Sequence, residues 1–446
     1  MPDQVSTTAR RLLRRARLLV AVLVSFCALV GAVRLVAPAT GGTGGEPAGV
    51  RGQLAFIRSA LDDGAGDDAQ QQFPEGYFFL HALYGLSWVE LGMREPAGEA
   101  RAEASREARW ALGRLDSEAG RAAFSPELTP SYGVFYRGWT NWLRGGTLML
   151  RPDGERDAGQ VRRFAEDSAV LGAAFDGAES PYLTAYPGQA WPVDSTVAVA
   201  SLRLHDTLLP ARFSGTVERW LDGVRQRLDP RTRLLPHRVS PDTGDPLEVA
   251  RGTSQSIIQR FLVDIDPAFA REQYTLFRDQ YVVSPLGLGP TTREYPEGMD
   301  GPADVDSGPL PLGVSLSATV VTLGAAQVRG DATLAEGIAN YGELLGVPVS
   351  TPWTKRYALG LLPIGDAFVA WSKTARPWVA EPQDPPPAHL SSLWRLPLLA
   401  LLLVAGAAPW LPALVRWRRR RTGGNDGPGA GQLPSALGED RFPAAR

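Results

Sequence analysis

Three short stretches of the chain concentrate residues able to do acid–base chemistry. In Tyr186-Pro187-Gly188-Gln189-Ala190-Trp191-Pro192-Val193-Asp194-Ser195, an acid stands beside two aromatic side chains on a loop whose path two prolines and a glycine constrain. An acid next to an aromatic platform suits gripping and protonating a hydroxylated ring; the plainer alternative is that Asp194 caps a helix. In the second stretch, Arg293-Glu294-Tyr295-Pro296-Glu297-Gly298 is followed by Asp304-Val305-Asp306-Ser307, so several carboxylates crowd ahead of an apolar run. Neighbouring carboxylates can part in pKa, one kept protonated as acid and one ionised as base, which is the logic of glycoside hydrolysis. Here the plainer alternative is a helix cap at Asp306 or Ser307. The third is Arg251-Gly252-Thr253-Ser254-Gln255-Ser256, with His237 and Glu248 upstream. An arginine beside a hydroxyl-rich helix start can hold a carboxylate or another anion, unless Ser or Thr simply caps the helix.

These stretches give a set of expected roles. Asp194 and Asp306 are the acid/base pair, with Glu294 and Asp304 as support or substitutes. Tyr186, Trp191 and Tyr295 form the platform, and Arg251 takes an anionic group. Ser254, Gln255, His237 and Tyr136 are further candidates for contacting the substrate. Glu75, Tyr77, His81, Trp139 and Asn141 could line the same mouth, although aromatics at helical spacing also suit a core. No metal or cofactor is expected. The four histidines, His81, His205, His237 and His389, show no paired ligand spacing. Asp304-Val305-Asp306 lacks the glycine and the distal acid of a calcium loop. No phosphate loop, dinucleotide fingerprint or nucleophile elbow occurs. The one cysteine, Cys27, lies in an apolar run.

The elements that must position these residues recur. Six Pro/Gly-rich loops run into apolar helices near Tyr77, Tyr136, Asp194, Ser254, Asp306 and Tyr357, at intervals of 51 to 60 residues. A unit of that length holds two helices. Amphipathic outer helices are expected near 51–61, 98–116, 157–176, 213–228, 267–280 and 331–346. Inner helices, apolar almost all round, are expected at 77–92, 132–146, 195–206, 254–265, 308–328 and 357–371. No series of alternating strands is legible. The expected fold is all-α, an (α/α)6 barrel of six helical hairpins, with an open solenoid of two-helix repeats as the competing arrangement. The segments 229–252 and 281–306 exceed passive connector length, which marks them as functional loops.

Apolar runs flank this region: Leu18–Val33 follows five arginines, and Leu396–Val415 precedes Arg416 and Arg418–Arg421. About 20 apolar residues cross a bilayer as a helix. With both basic clusters on the outer ends, the positive-inside rule puts both termini in the cytoplasm and the middle outside it. The expected organisation is a basic cytoplasmic segment at 1–17, a transmembrane helix or signal anchor at 18–39, and a linker at 40–50. The barrel domain follows at 51–380, then a Pro-rich linker at 381–393, a transmembrane helix at 394–416 and a basic, then disordered, tail at 417–446. The first apolar run also fits a cleaved secretory signal. The net charge of −2 and the absence of a nucleic-acid module argue against nucleic acid as a partner.

YPGQAWPVDSTVAVASLRLHD, RGTSQSIIQRFLVDIDPAFAREQY and DVDSGPLPLGVSLSATVVTLGAA together resemble the linalool dehydratase/isomerase-like group of the six-hairpin, (α/α)6 glycosidase-like class. The resemblance implies the barrel fold over roughly Gln53 to Trp371. It implies carboxylates, Tyr, His and Arg at the mouth, as in the hydrolases, lyases and epimerases of that class. With Cys27 the sole cysteine, no cysteine role of the group carries over. The leading expectation is a membrane-anchored enzyme acting on a cell-envelope glycan outside the cytoplasm. The alternatives are a lyase or isomerase acting on a small lipophilic alcohol, and a non-catalytic glycan-binding or scaffold protein.

Overall fold

The computed structural model describes residues 2–41, 45–381, 386–387 and 391–422. Parts of both expected linkers, His389 and the tail from 423 lie outside the described residues. Two compact units emerge: Val33–Leu399, and the chain ends up to Ala32 and from Ala400. The chain is mostly helical, opening on α1 (Pro2–Val36).

In the larger unit, helices apolar all round alternate with amphipathic ones. The first are α2 (Val50–Asp62), α3 (Ala65–Gln72), α4 (Gly76–Gly92), α5 (Glu99–Leu115), α6 (Glu118–Arg121) and α7 (Gly133–Met149). In α4, GYFFLHALYGLSWVELG, every residue except Phe79 is buried. In α5 the buried positions Ala104, Ala108, Ala111, Leu112 and Leu115 make one stripe, and arginines and glutamates fill the rest. Next come α8 (Ala158–Asp176), α9 (Pro192–Leu208), α10 (Ser214–Arg225), α11 (Gly252–Ile265), α12 (Pro267–Tyr281), α13 (Leu316–Val328), α14 (Ala332–Leu345) and α15 (Pro363–Thr374).

The contacts between these helices run in a closed succession. Each of α4, α7, α9, α11, α13 and α15 packs on the next, and α15 packs back on α4. α5, α8, α10, α12 and α14 each pack on the member they follow in the chain, while α2 packs on α15. Small residues permit the closest approaches: a Cβ at Gly138 of α7 would sit 3.0 Å from the Ala198 backbone of α9. Trp139 of α7 and Phe261 of α11 meet edge to face, and Trp371 of α15 packs tilted against both across the middle. At the C-terminal ends of these helices, Arg260 of α11 pairs with Glu90 of α4 at 2.5 Å and covers the Trp371 ring at 3.6 Å. Asp264 accepts N–H bonds from Trp378, Val379 and Ala380, and Trp378 stacks on Trp142. That end is therefore filled, and the loops before the six helices lie at the other.

Two helix starts differ from the sequence expectation. α13 begins at Leu316, not near 308, because Pro309 and Pro311 lack N–H groups, Gly308 and Gly313 take positive φ, and Ser315 caps the helix through Ala318 N–H. α15 begins at Pro363, not 357, because Leu359 and Gly360 turn left-handed ahead of it. The long loops also contain short antiparallel strands that no alternation announced. They are β1 (Arg238–Val239) with β2 (Pro246–Glu248), the three-stranded β3 (Val282–Val283), β4 (Thr291–Arg293) and β5 (Val314–Ser315), and β6 (Val349–Ser350) with β7 (Lys355–Arg356).

The chain closes on α16 (Arg395–Ala407) and α17 (Leu411–Thr422), joined by a 3-10 turn at Ala408–Trp410 where Pro409 interrupts the hydrogen-bond ladder. Arg11–Val36 and Arg395–Arg418 are long and apolar enough to cross a membrane. Within the smaller unit the two meet at small residues. Ser25 Oγ donates to the Gly406 carbonyl at 2.8 Å and accepts from Trp410 Nε1 at 2.8 Å, beside Ala28.

Candidate functional site

Asp194 is the third residue of α9. Trp191 occupies the cap position and Pro192 opens the helix, so the carboxyl does not cap. Only 4% exposed, it accepts no hydrogen bond among the described residues, and its electrostatic neighbours are two other acids, Glu75 and Asp306. Burial above all, then the charges of Glu75 and Asp306, raise its pKa well above the carboxylate range. Asp306 retains exposed surface at the rim, yet the surrounding loops crowd its carboxyl. Burial, then Asp304 and Glu75, push its pKa up to about 6 against the opposing pull of Arg251. Its backbone is pinned: the carbonyl accepts from Ser317 Oγ, and the N–H donates to Asp304 Oδ1 at 3.1 Å.

Glu75 immediately precedes α4 and accepts the Tyr186 hydroxyl. Tyr186 is half-buried and edge-on to Trp191, with ring centroids 5.7 Å apart. The loop that carries both is tied down by a turn between Tyr186 and Gln189 and by the Ala190–Val239 bridge to β1. The charges of Glu75 and Asp306 act on Asp194, and that of Glu75 on Asp306, but no group of three His, Cys, Asp or Glu among the described residues is placed to hold a metal ion.

The remaining acids are engaged. Glu294 is 0% exposed, and its carboxylate accepts from Arg251 Nε at 2.7 Å and from the Thr253 hydroxyl at 2.8 Å and N–H at 3.2 Å. Burial still lifts its pKa despite Arg251 and Thr253. Its backbone accepts from Gly252 N–H at 2.8 Å, and a Cβ at Gly252 would meet the Arg293 carbonyl at 2.0 Å. Arg251 also pairs with Asp304 at 2.6 Å, and Asp304 caps the turn at Asp306 and Ser307. Burial would raise the Asp304 pKa, but the Ser307 N–H and Arg251 outweigh it and hold it low. Arg251 thus serves two carboxylates of its own chain and stands over the Tyr295 ring at 5.3 Å. Tyr295 donates to the Pro302 carbonyl.

His237 Nδ1 lies 2.6 Å from Ser254 Oγ, with Nε2 4.0 Å from Glu248. Burial, then Arg251, lower its pKa to about 4, so the imidazole is neutral near pH 7. Gln255 donates to the Leu235 carbonyl at 2.6 Å and thereby anchors the 226–251 loop. Tyr136 is buried, with its hydroxyl on the Leu115 carbonyl. Tyr77, His81, Trp139 and Asn141 are likewise core residues. Beneath the acids, Phe79, Val193, Ile257 and Phe368 are only half-buried although they belong to the six apolar helices, and the Phe79 and Phe368 rings lie 5.8 Å apart. Sequence reasoning gave this floor no role; the signal was an aromatic four residues after Glu75.

A hollow of about 530 Å³ lies elsewhere, lined by α2, α5 and the β6–β7 hairpin. Its charges are already paired, Arg51 with Glu95 and Arg58 with Glu107, so it lacks the unpaired acids of the mouth. No protein-family model matches the chain, and no curated protein matches it.

Proposed function

We propose that Val50 to Thr374 forms an (α/α)6 barrel, held outside the cytoplasm by α1 and α16–α17 as membrane spans, and that it performs carboxylate acid–base chemistry on a hydroxylated substrate. The closed succession of six helices and the outer set including α2 support the barrel. The basic residues flanking both apolar helices support cytoplasmic termini. One observation carries the catalytic reading: Asp194 is a buried carboxyl without a hydrogen-bond partner among the described residues, its pKa raised well above the carboxylate range by burial and by Glu75 and Asp306. A non-catalytic scaffold would spend its acids on arginines and helix starts. Glu294 and Asp304 follow that pattern; Asp194 and Asp306 do not.

Asp194 then acts as general acid and Asp306 as base, while Tyr186 and Trp191 hold the ring or chain of a cell-envelope glycan. The half-buried Phe79, Ile257 and Phe368 favour a second reading, in which the substrate is a lipophilic alcohol and the reaction is elimination or isomerisation. Asp194→Asn and Asp306→Asn should fold normally and lower turnover roughly 10²- to 10⁴-fold. A screen of glycans and lipid alcohols by thermal shift on the full chain in detergent finds the substrate. Full turnover in both variants would refute the assignment.

A further inference from the structure

Large apolar side chains are exposed unevenly between residues 45 and 381. Apart from Val170, every exposed one among the described residues lies on a loop that precedes one of the six apolar helices, or within one residue of such a loop. The acids sit on those same loops or in the first turn that follows them. Three leucines are held out on left-handed backbone: Leu286 (φ 55), Leu312 (φ 56) and Leu359 (φ 61), each followed by glycine. A bulky residue in that region is strained, and such strain persists where the surrounding structure fixes it, often at functional surfaces.

The segments that lead to the two apolar helices arrive at this face. The C-terminal end of α14 lies here, because it feeds the loop before α15. Arg34 donates to the Pro348 carbonyl at 3.0 Å, Asn340 to the Ala37 carbonyl at 2.7 Å, and Ala39 N–H to Glu336 at 2.6 Å. The segment from Arg34 to Ala39 therefore runs from the end of α14 back toward its start, and its first residues lie at the loop side. Arg395 bonds Asn340 at 2.8 Å and Trp394 packs on Tyr341, which in turn touches Gly289 of the Leu286 loop. Ala358 N–H to the Gly346 carbonyl, at 2.8 Å, brings Leu359 beside Val347. Leu286, Val347 and Leu359 thus surround the points where the chain leaves for the apolar helices.

We propose that this loop face rests on the lipid bilayer, with Leu286, Val347 and Leu359 sunk into the boundary between headgroups and acyl chains. The site then takes a membrane amphiphile whose hydroxylated headgroup reaches Asp306 from the lipid side. This rests on α1 and α16–α17 being membrane spans. Lipid, not protein, is the occupant because the patch is continuous with the stems of those helices.

The test uses the full chain carrying Cys27→Ser in phosphatidylethanolamine–phosphatidylglycerol liposomes, with one environment-sensitive fluorophore on Leu286→Cys, Val347→Cys, Leu359→Cys or Val305→Cys. Leu23→Cys in α1 and Glu155→Cys at the opposite end of the six helices serve as references. Labels at 286, 347 and 359 should be blue-shifted and quenched several-fold more than the label at 155 by acyl-chain nitroxide lipids. The label at 305 should be quenched by headgroup nitroxide lipids. Quenching at 23 with none above the 155 level at 286, 347 and 359 overturns the face assignment alone. No quenching at 23 overturns the membrane reading with it. Blue-shifted but unquenched labels at the three leucine and valine positions point to a protein partner and refute the lipid one, and an unquenched label at 305 refutes delivery from the lipid.

Discussion

Ionising a buried carboxyl that has no hydrogen-bond partner among the described residues is unfavourable, so the Asp194 pKa stands well above the carboxylate range. That direction suits Asp194 to donate a proton, whereas Asp306, with a pKa of about 6, is largely ionised near pH 7. The Asp306 charge helps hold the Asp194 pKa up, which gives a test. Asp306→Asn removes one neighbouring charge, so Asp194 should titrate at lower pH in carboxyl infrared difference spectra; an unchanged titration would mean that the two do not interact. The same shifts set a stability trend. Carboxyls raised in the folded state contribute stability fully present below their unfolded pKa of about 3.9 and lost as pH rises through the folded values, about 6 for Asp306 and well above the carboxylate range for Asp194. Asp194→Asn should therefore gain thermal stability over the wild type as pH rises from 5 to 8. A constant difference across that range would contradict it.

The elements that hold these groups depend on contacts at their far ends. Arg260 and Glu90 join α11 to α4 in full burial, and Thr374 of α15 donates to the same glutamate at 2.7 Å. Removing one partner of such a pair leaves an uncompensated buried charge and costs about 3–5 kcal/mol. Arg260→Met should show that loss in denaturant titrations, and a loss below about 1 kcal/mol would mean that the pair is relaxed. The loop before α15 hangs on Glu343, which binds both lysines of the chain, Lys355 at 2.7 Å and Lys373 at 2.5 Å, with the Tyr357 hydroxyl. Burial lowers Lys373 to about 8, whereas Glu343, which burial alone would raise, is held at about 2 by Lys373 and Lys355. A guanidinium is larger than an ammonium and differently shaped, so Lys373→Arg should disturb this buried cluster and speed proteolysis within 346–362. Helices were legible where composition separates them, α4 apolar all round and α5 on one stripe. The starts of α13 and α15 were not: Pro309, Pro311 and Gly313 are compatible with a loop running into a helix at several points, and leucine in a left-handed turn leaves no compositional mark. Asp194, Asp306 and Tyr186 stood out as acids and aromatics at junctions of loop and helix. That Arg251 is spent on Glu294 and Asp304, and that Glu75 meets Tyr186 from 111 positions away, depends on long-range packing that local patterns do not encode.

For the whole molecule, the two apolar helices lie at opposite ends of the chain and yet belong to one compact unit. Lipid tails are as apolar as leucine, so burial of apolar area cannot hold these helices together in a bilayer; close packing and interhelical hydrogen bonds must. Ser25, Ala28 and Gly406 supply both, since a Cβ at Gly406 would lie 3.1 Å from the Ala28 Cβ and 3.8 Å from the Ser25 Cα. With the Ser25 Cα 3.8 Å from that Cβ and its hydroxyl on the Gly406 carbonyl, positions 25 and 406 face each other across the pair, as two cysteines must to form a disulfide. In a Cys27→Ser background, Ser25→Cys with Gly406→Cys should oxidise to an intramolecular crosslink in membranes, whereas Ser25→Cys with Leu403→Cys should not. Equal crosslinking of both pairs would show that the helices lack a fixed face. Because Val33–Leu399 forms a separate compact unit, the crosslink should leave its thermal unfolding unchanged, while Gly406→Leu should abolish helix pairing without lowering that transition.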